Sequence, residues 1–512
     1  MKSLYKYAFV GLLALGMSAC SEDLLETSPT TSVDTGSLMA STSKAIASLN
    51  GVYRFLYTTG YTSGWEHEET GIMSFNHVAD LMGEDMIQQK SGSGWFWYDY
   101  QFNVKSDYTH NAGRPYGTWN YFYTIISNVN YLIASEATMQ GDEAERNYIV
   151  GQAYALRAMG YFYLAQYYAP RLVGNDKAAC VPIYTEPTTK ETKGKPRATN
   201  AEVYKQIDTD LAAAIDRMKK AKATRDSKSH LGLAEVYGWA ARVALAEEKW
   251  KDAQTYAENA ISEANKEGLE VTGVSNFSGL NNAEAKNVLW GLKIVPDQTQ
   301  QYASFYTFMD PALGKYGATA RIQINKDLYA MMGANDARRG WWDPKEKENK
   351  DNGYQQTKFK CSNIATFGGD YVLMRIEEMH LIKAEAQCML GDDKGAQTTL
   401  IAYMKTRDAD YTCTKTGNKM AETTNPKIAT GSLREEIVNQ RRIELWGEFG
   451  RLYDLRRLHQ GVYRTTEQGH PGAGIVKGID NPDSNLFLMT IPQSEFDGNK
   501  ALDAEKDQNP MD

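Results

Sequence analysis

The strongest constraint on the fold is a set of amphipathic helices in the middle of the chain. Residues 142–168 carry small and apolar side chains at alternating spacings of four and three, which is the pattern of one helix face. Pro170 follows and ends that helix. Such a face must be buried against a neighbouring helix, so we expect helical hairpins. The stripe consists of Ile149, Ala153, Leu156, Gly160, Tyr163 and Tyr167.

Further helix pairs are predicted along the chain. Residues 230–261 place small side chains at helical spacing on two consecutive helices, within roughly the 34-residue period of a tetratricopeptide repeat. A third pair is predicted at 371–406, where Gly391 ends one helix and Asp392 or Asp393 caps the next. We therefore predict a mainly α protein with a scaffold of tetratricopeptide-like helical hairpins. The hairpins are expected at about 118–168, 200–265, 371–407 and 432–460.

Two long segments between the hairpins, 58–117 and 268–370, are rich in glycine, proline, threonine and aromatic residues. Irregular stretches of this length are usually functional in a compact protein. We therefore expect these segments to make the contacts with a ligand.

The stretch SGSGWFWYDYQFN, residues 91–103, holds six large aromatic side chains and one charge, Asp99. If it forms a strand, Trp95 and Trp97 point to one face and Phe96 and Tyr98 to the other. Two hypotheses follow. The segment is either a buried hairpin or an exposed aromatic surface, which monomeric soluble proteins seldom keep unless something binds there.

The first residues have the pattern of a secretory leader rather than of a fold. Lys2 and Lys6 precede an apolar run, and LGMSAC ends in Cys20, so residues 1–19 are predicted to be a signal peptide. LGMSAC resembles a bacterial lipobox, which implies that Cys20 is lipidated and holds the protein at a membrane. Residues 20–35 would form a polar tether. An ordinary secreted protein, cut near Ala19, is the alternative.

Composition and motifs exclude several functions. The net charge is −8 and no basic tract occurs, which argues against a nucleic-acid partner. His67 and His77 lack the spacing of a zinc-binding HExxH helix, and the GxSxG and Walker A motifs are absent. We expect no cofactor, no metal site and no enzymatic activity. Sequence alone does not exclude a pair of carboxylates, distant in the chain, that converge to cleave glycosides.

Residues 437–458, IVNQRRIELWGEFGRLYDLRRL, combine many charges with a glycine-bounded turn. They predict two short helices that meet between Gly447 and Gly450. Guanidinium–carboxylate pairs on the two helices, with Arg441 and Asp454 among them, can then lock the turn. We expect these charges to be structural.

The same stretch resembles the C-terminal signature of the SusD-like (SusD/RagB) family of glycan-binding outer-membrane lipoproteins. Other blocks resemble that family in the same order along the chain, and the resemblance extends over essentially all of 20–512, with 36–512 as a single SusD-like domain. These blocks are GTWNYFYTIISNVNYLI, YALRAMGYFYLAQYYAPRL, AEVYKQIDTDLAAAI, YVLMRIEEMHLIKAEAQCMLGD and TIPQSEFDGNKALDAEKDQNP.

The resemblance implies a non-enzymatic, surface-exposed lipoprotein of the outer membrane. It also implies that the loop-rich, irregular second half of the chain carries the ligand site. Such a protein captures oligosaccharides and delivers them to a SusC-like TonB-dependent transporter, to which it is attached as a hinged lid. By position it also implies ligand contacts from the 91–103 loop and from loops before the Asp-x-Arg segment that begins at Asp336. To these we add Trp65, which lies in a polar segment bounded by glycines. The candidate ligand-binding residues are Trp65, Trp95, Trp97, Tyr98, Asp99, Tyr302, Tyr306 and Tyr316.

Two other functions remain open from sequence alone. The same architecture can serve as the oligopeptide-binding subunit of an importer, in which case a site richer in small and charged groups is expected. The second alternative is a glycoside hydrolase, which requires two carboxyl groups about 5 to 9.5 Å apart in a cleft.

Overall fold

The computed structural model of the protein describes most of the chain. The residues described are 39–62, 66–103, 113–222, 225–277, 279–344 and 353–510. Cys20 and the predicted tether lie outside these ranges, as does Trp65.

Helices make up most of the structure. Those before residue 270 are α1 (Thr42–Phe55), α2 (Ile72–Leu81), α3 (Trp97–Tyr100), α4 (Gly113–Ala134), α5 (Glu143–Tyr168), α6 (Asn200–Ala221), α7 (Leu233–Ala246) and α8 (Trp250–Lys266). Those after it are α9 (Phe305–Met309), α10 (Tyr316–Ala320), α11 (Lys326–Ala330), α12 (Ile376–Met389), α13 (Asp393–Met404), α14 (Leu433–Glu444), α15 (Arg451–Leu458), α16 (Gln493–Gly498) and α17 (Ala504–Asp507). The mainly α fold class predicted from the sequence is confirmed.

The longer helices pack side by side in chain order. Helix α5 packs between α4 and α6, and α8 packs between α7 and α12. Asp142 caps α5 by accepting from the backbone N–H of Ala144 at 2.8 Å, as expected for an aspartate N-cap. At Gly160 an added Cβ would lie 2.9 Å from Ile126 Cγ1, so the small residue allows α4 and α5 to approach closely.

The strands are short and form two antiparallel sheets. One has the order β1–β3–β5–β4, and the other pairs β2 with β6. The strands are β1 (Met86–Gln88), β2 (Val288–Leu292), β3 (Ile322–Ile324), β4 (Trp342–Asp343), β5 (Gln355–Gln356) and β6 (Tyr371–Arg375).

The pairing of β1 with β3 joins the two loop-rich segments. Met86 is paired with Ile324, and the ladder continues as the N–H of Lys90 donates to the Ala320 carbonyl at 3.0 Å. The turn that follows β1 therefore lies beside α10, which immediately precedes β3. Residues more than two hundred positions apart are brought together in this way.

Below these loops lies a buried cluster of eight charges, which we call the charge cluster. Glu444, at the end of α14, accepts from Arg375 at 2.9 Å and from Arg407 at 2.8 Å, and Arg338 lies 3.4 Å away. The members are the cations Arg338, Lys358, Arg375 and Arg407 and the anions Asp336, Glu377, Glu444 and Glu448. All eight are buried, and four positive charges balance four negative ones.

The turn between α14 and α15 is locked as the sequence predicts. Arg441 Nε donates to Asp454 Oδ2 at 2.9 Å across the turn. Gly450 has φ 86°, and an added Cβ would lie 2.6 Å from Ala79 Cβ, so glycine is required there by both conformation and space. The structural role expected of these charges is confirmed.

Candidate aromatic binding site

Five rings from separate parts of the chain meet at the surface. They are His67, Trp95, Tyr302, Tyr316 and Phe367, and we call them the aromatic platform. The His67 ring centroid lies 5.3 Å from that of Trp95 and 5.7 Å from that of Tyr316. The His67 ring also stacks on Tyr302 at 5.9 Å and 9°. These separations are those of aromatic rings in contact.

The outer rings complete the platform. Tyr302 lies 6.2 Å from Tyr316 and 5.4 Å from Phe367, centroid to centroid. The Tyr316 hydroxyl shares a hydrogen bond with His67 Nδ1, which fixes both rings. The Tyr302 side chain is 41% exposed, and the other four rings are half-buried. Each ring is thus held by neighbours and still reaches solvent.

The 91–103 segment folds differently from the strand considered in the sequence analysis. It forms a turn followed by the single-turn helix α3, because Phe96 adopts a left-handed conformation with φ 57°. The Phe96 ring is buried edge-on against His77 at 4.7 Å and against Phe308 at 4.8 Å. Trp95 directly precedes the buried Phe96, and its own ring lies half-exposed on the platform. The segment is therefore partly core and partly surface.

A buried ion triad holds the turn in place. Arg114 pairs with Asp99 at 3.0 Å and also with Glu68, and Glu68 accepts from the Phe96 N–H at 2.6 Å. Burial raises the pKa of Glu68 to about 7, although the Arg114 charge opposes the shift. Burial likewise raises the pKa of Asp99. The triad supports the platform from below and does not reach solvent.

The structure brings together three of the eight residues predicted from the sequence. Trp95, Tyr302 and Tyr316 lie on the platform. Trp97 and Tyr98 lie on α3; Tyr98 is 56% exposed, whereas Trp97 is half-buried and stacks on Tyr100 at 5.7 Å. Both remain predictions as ligand contacts.

Burial excludes two of the predicted residues from contact with a ligand at the surface. Asp99 is 3% exposed, and its carboxylate is used by Arg114. Tyr306 is 1% exposed, and its hydroxyl donates to the carbonyls of Leu280 at 2.9 Å and Asp370 at 2.6 Å. Neither side chain is available to a ligand on the surface, because both are already committed to structural contacts.

Sequence reasoning missed two of the five rings. The sequence analysis considers His67 only as a metal ligand, whereas in the structure its ring packs against the other aromatic rings of the platform. Phe367 has φ 54° and is followed by Gly368 and Gly369, in a tight turn. An aromatic residue before a glycine pair, within a segment already expected to bind ligand, is the signal that could have identified it.

The described residues carry no group of three or more histidine, cysteine, aspartate or glutamate side chains arranged to hold a metal ion. Asp310, on the segment between Tyr302 and Tyr316, accepts from the N–H groups of Ala312 at 2.9 Å and Cys361 at 2.8 Å. Within the same ranges, no helix is both long and apolar enough to cross a bilayer. A ligand at this site could stack on the aromatic rings and hydrogen-bond to the polar groups around them.

The structure is a helical scaffold with aromatic rings exposed on one surface, and comparison with known proteins identifies its family. Residues 55–245 match the family profile described as "Starch-binding associating with outer membrane", and residues 316–511 match that of the SusD family. The chain belongs to the SusD-like family.

Individual relatives agree over nearly the whole length. A SusD-like protein P2 from Formosa agariphila is 24% identical over 97% of this chain and 98% of its own. The crystal structure of a SusD-like carbohydrate binding protein from Bacteroides vulgatus has a TM-score of 0.75 at 26% identity, covering 90% of this chain and 97% of that one. A surface glycan-binding protein A from Bacteroides fluxus has a TM-score of 0.67 at 19% identity, covering 92% of this chain and 99% of that one, and supports the fold alone.

Proposed function

We propose that the protein is a cell-surface lipoprotein that binds oligosaccharides on the aromatic platform and passes them to a SusC-like TonB-dependent transporter, without cleaving them. The observation that carries the proposal is the set of five rings that touch one another and still reach solvent. Sugars present C–H groups on one face, which stack on aromatic rings, and hydroxyls at the edge, which hydrogen-bond polar side chains.

Membership of the SusD-like family supports the transport step and the location. One of the matching profiles describes proteins that bind starch and associate with the outer membrane. The lipobox-like LGMSAC supports attachment through Cys20. The domain division proposed from the sequence, with 1–19 removed, 20–35 as tether and 36–512 as one binding domain, is consistent with this arrangement.

The binding strength should suit a protein that releases what it captures. A ring stacked on a planar partner contributes on the order of 1 kcal/mol. A few such contacts with edge hydrogen bonds, after the entropy of association is deducted, give a Kd of roughly micromolar to millimolar. A weak site of this kind allows transfer to a transporter.

The test is binding of the purified mature chain to an array of oligosaccharides and of oligopeptides, followed by calorimetry with the best ligand. Trp95→Ala and Tyr302→Ala should each weaken binding about fivefold or more, with little change in melting temperature, because both rings face solvent. Trp250→Ala is the matched control, since Trp250 is also half-buried but lies on α8, away from the platform. Its affinity should equal that of the wild type. Preference for peptides, or equal loss in all three variants, would refute the proposal.

A further inference from the structure

One lysine borders the platform. Lys315 is half-buried, and its Nζ lies 5.3 Å from the Tyr302 ring centroid and 5.2 Å from that of Phe367. The same Nζ is 3.5 Å from the Tyr302 hydroxyl. The ammonium group is therefore held over two rings of the platform by cation–π contacts and does not extend freely into solvent.

The charge of Lys315 has no carboxylate partner within 4 Å in the part of the chain that the structure describes. Four carboxylates on the adjoining loops have other partners. Asp310 accepts from two backbone N–H groups, and Asp370 accepts from the N–H groups of Ala283 and Ile294, both at 2.9 Å. Glu68 and Asp99 both pair with Arg114 below the platform.

Two lysines elsewhere on the second loop-rich segment differ in this respect. Lys286 pairs with Glu270 at 3.3 Å, and Lys293 pairs with Glu284 at 3.1 Å. Lys315 is thus an uncompensated positive charge at the site where a sugar ring would stack, in a protein whose net charge is −8. An anion that approaches the platform would find an oriented donor without breaking an internal ion pair.

We propose that the platform selects oligosaccharides bearing an anionic substituent, a carboxylate or a sulfate, and that Lys315 binds this group. The inference rests on the proposed function. A pyranose stacked on the platform brings its ring substituents within reach of the Lys315 ammonium, which lies over Tyr302 and Phe367, and a charge-assisted hydrogen bond then forms. A neutral sugar gains the stacking but not this bond.

The experiment compares matched pairs of ligands. Hexagalacturonate is tested against its fully methyl-esterified form, and a sulfated carrageenan hexasaccharide against its desulfated form, within a wider array of neutral oligosaccharides. The variants are Lys315→Gln, which removes the charge, and Lys315→Arg, which keeps it; Lys286→Gln is the control at an exposed, paired lysine. Binding is measured by calorimetry at low and at high salt.

The anionic member of at least one pair should bind more tightly than its neutral counterpart, by about tenfold, the effect of one charge-assisted hydrogen bond. Lys315→Gln should abolish that difference and leave the neutral ligand unaffected, and Lys315→Arg should preserve it. High salt should reduce the difference.

Equal binding of both members of every pair, unchanged in Lys315→Gln, would overturn the inference. If neutral sugars nevertheless bind, and Trp95→Ala weakens that binding, the proposed function remains supported. Failure of every oligosaccharide to bind would overturn both.

Discussion

The charge cluster makes a quantitative prediction for Glu444→Gln. Glu444 Oε1 accepts from Arg375 and Arg407 at 2.9 and 2.8 Å, and Oε2 accepts from Arg407 Nε at 3.0 Å. A glutamine side chain keeps only one of these two acceptor oxygens. In place of the other it has an NH2 group, whose N–H groups would point at a guanidinium. The substitution also leaves the eight-charge cluster with an excess of one positive charge.

Removal of one partner from a buried ion pair costs about 3–5 kcal/mol. Unfolding entropy is about 2.1 cal/mol/K per residue, which for 512 residues gives roughly 1 kcal/mol for each degree of melting temperature. We therefore expect Glu444→Gln to lower the melting temperature by about 3–5 °C. Calorimetric melting of the wild type and the variant in the same buffer measures this shift.

The control is Glu270→Gln, which makes the same chemical change at an exposed pair. Glu270 and its partner Lys286 have side chains 62% and 69% exposed, so the expected cost is below about 1 kcal/mol, or roughly one degree. A Glu444→Gln protein that melts within a degree of Glu270→Gln would show that the cluster does not stabilise the fold as argued.

Three further predictions concern the anchor, catalysis and pH. Cys20→Ala should move the protein out of the membrane fraction or leave its leader uncleaved, and unchanged detergent partitioning of this variant would contradict the anchor. Wild-type protein solubilised in mild detergent should co-purify with a TonB-dependent transporter. The purified chain should leave its best-bound oligosaccharide intact over a long incubation, whereas release of reducing ends that one carboxylate substitution abolishes would establish an enzyme. The melting temperature should fall as the pH is lowered below about 4.5. Between about 4.5 and 7 the buried groups oppose one another: burial raises the pKa of Glu68 and of Glu235 to about 7, which makes stability fall as pH rises, and it lowers the pKa of His77 to about 3 and of His380 to about 4, which makes stability rise. Burial opposes the charge of Glu444, but Arg407 and Arg375 outweigh it and hold the pKa of Glu444 well below its ordinary value of 4.5, so this stabilisation is lost as pH falls below about 4.5. A melting temperature that does not fall as the pH drops below about 4.5 would contradict the assignment.

The helical part of the fold could be predicted because its signal is local. The stripe from Ile149 to Tyr167 repeats at the helical period, and Pro170 marks its end. Asp142 lies where an N-cap is needed, and it caps α5. Whether a segment forms a helix can therefore be predicted from its own residues, without knowing what packs against that helix.

The site could be predicted only in part, because exposure is decided by residues distant in the chain. Tyr302 and Tyr306 are four positions apart in the same aromatic segment, yet one is 41% exposed and the other 1%. The difference arises because the Tyr306 hydroxyl reaches the carbonyls of Leu280 and Asp370, which the sequence does not place beside it. Trp95 was identified from its position in the family resemblance, not from any local pattern.

The way the platform is assembled has a consequence for folding. Its rings come from positions 67, 95, 302, 316 and 367, and the ladder between β1 and β3 is what joins the first two to the rest. A chain in which these long-range contacts have not formed has no platform, whatever its helical content. Sugar binding during refolding should therefore appear with the last, non-local step and not with the early gain of helix, so the ligand can serve as a reporter of completed tertiary structure.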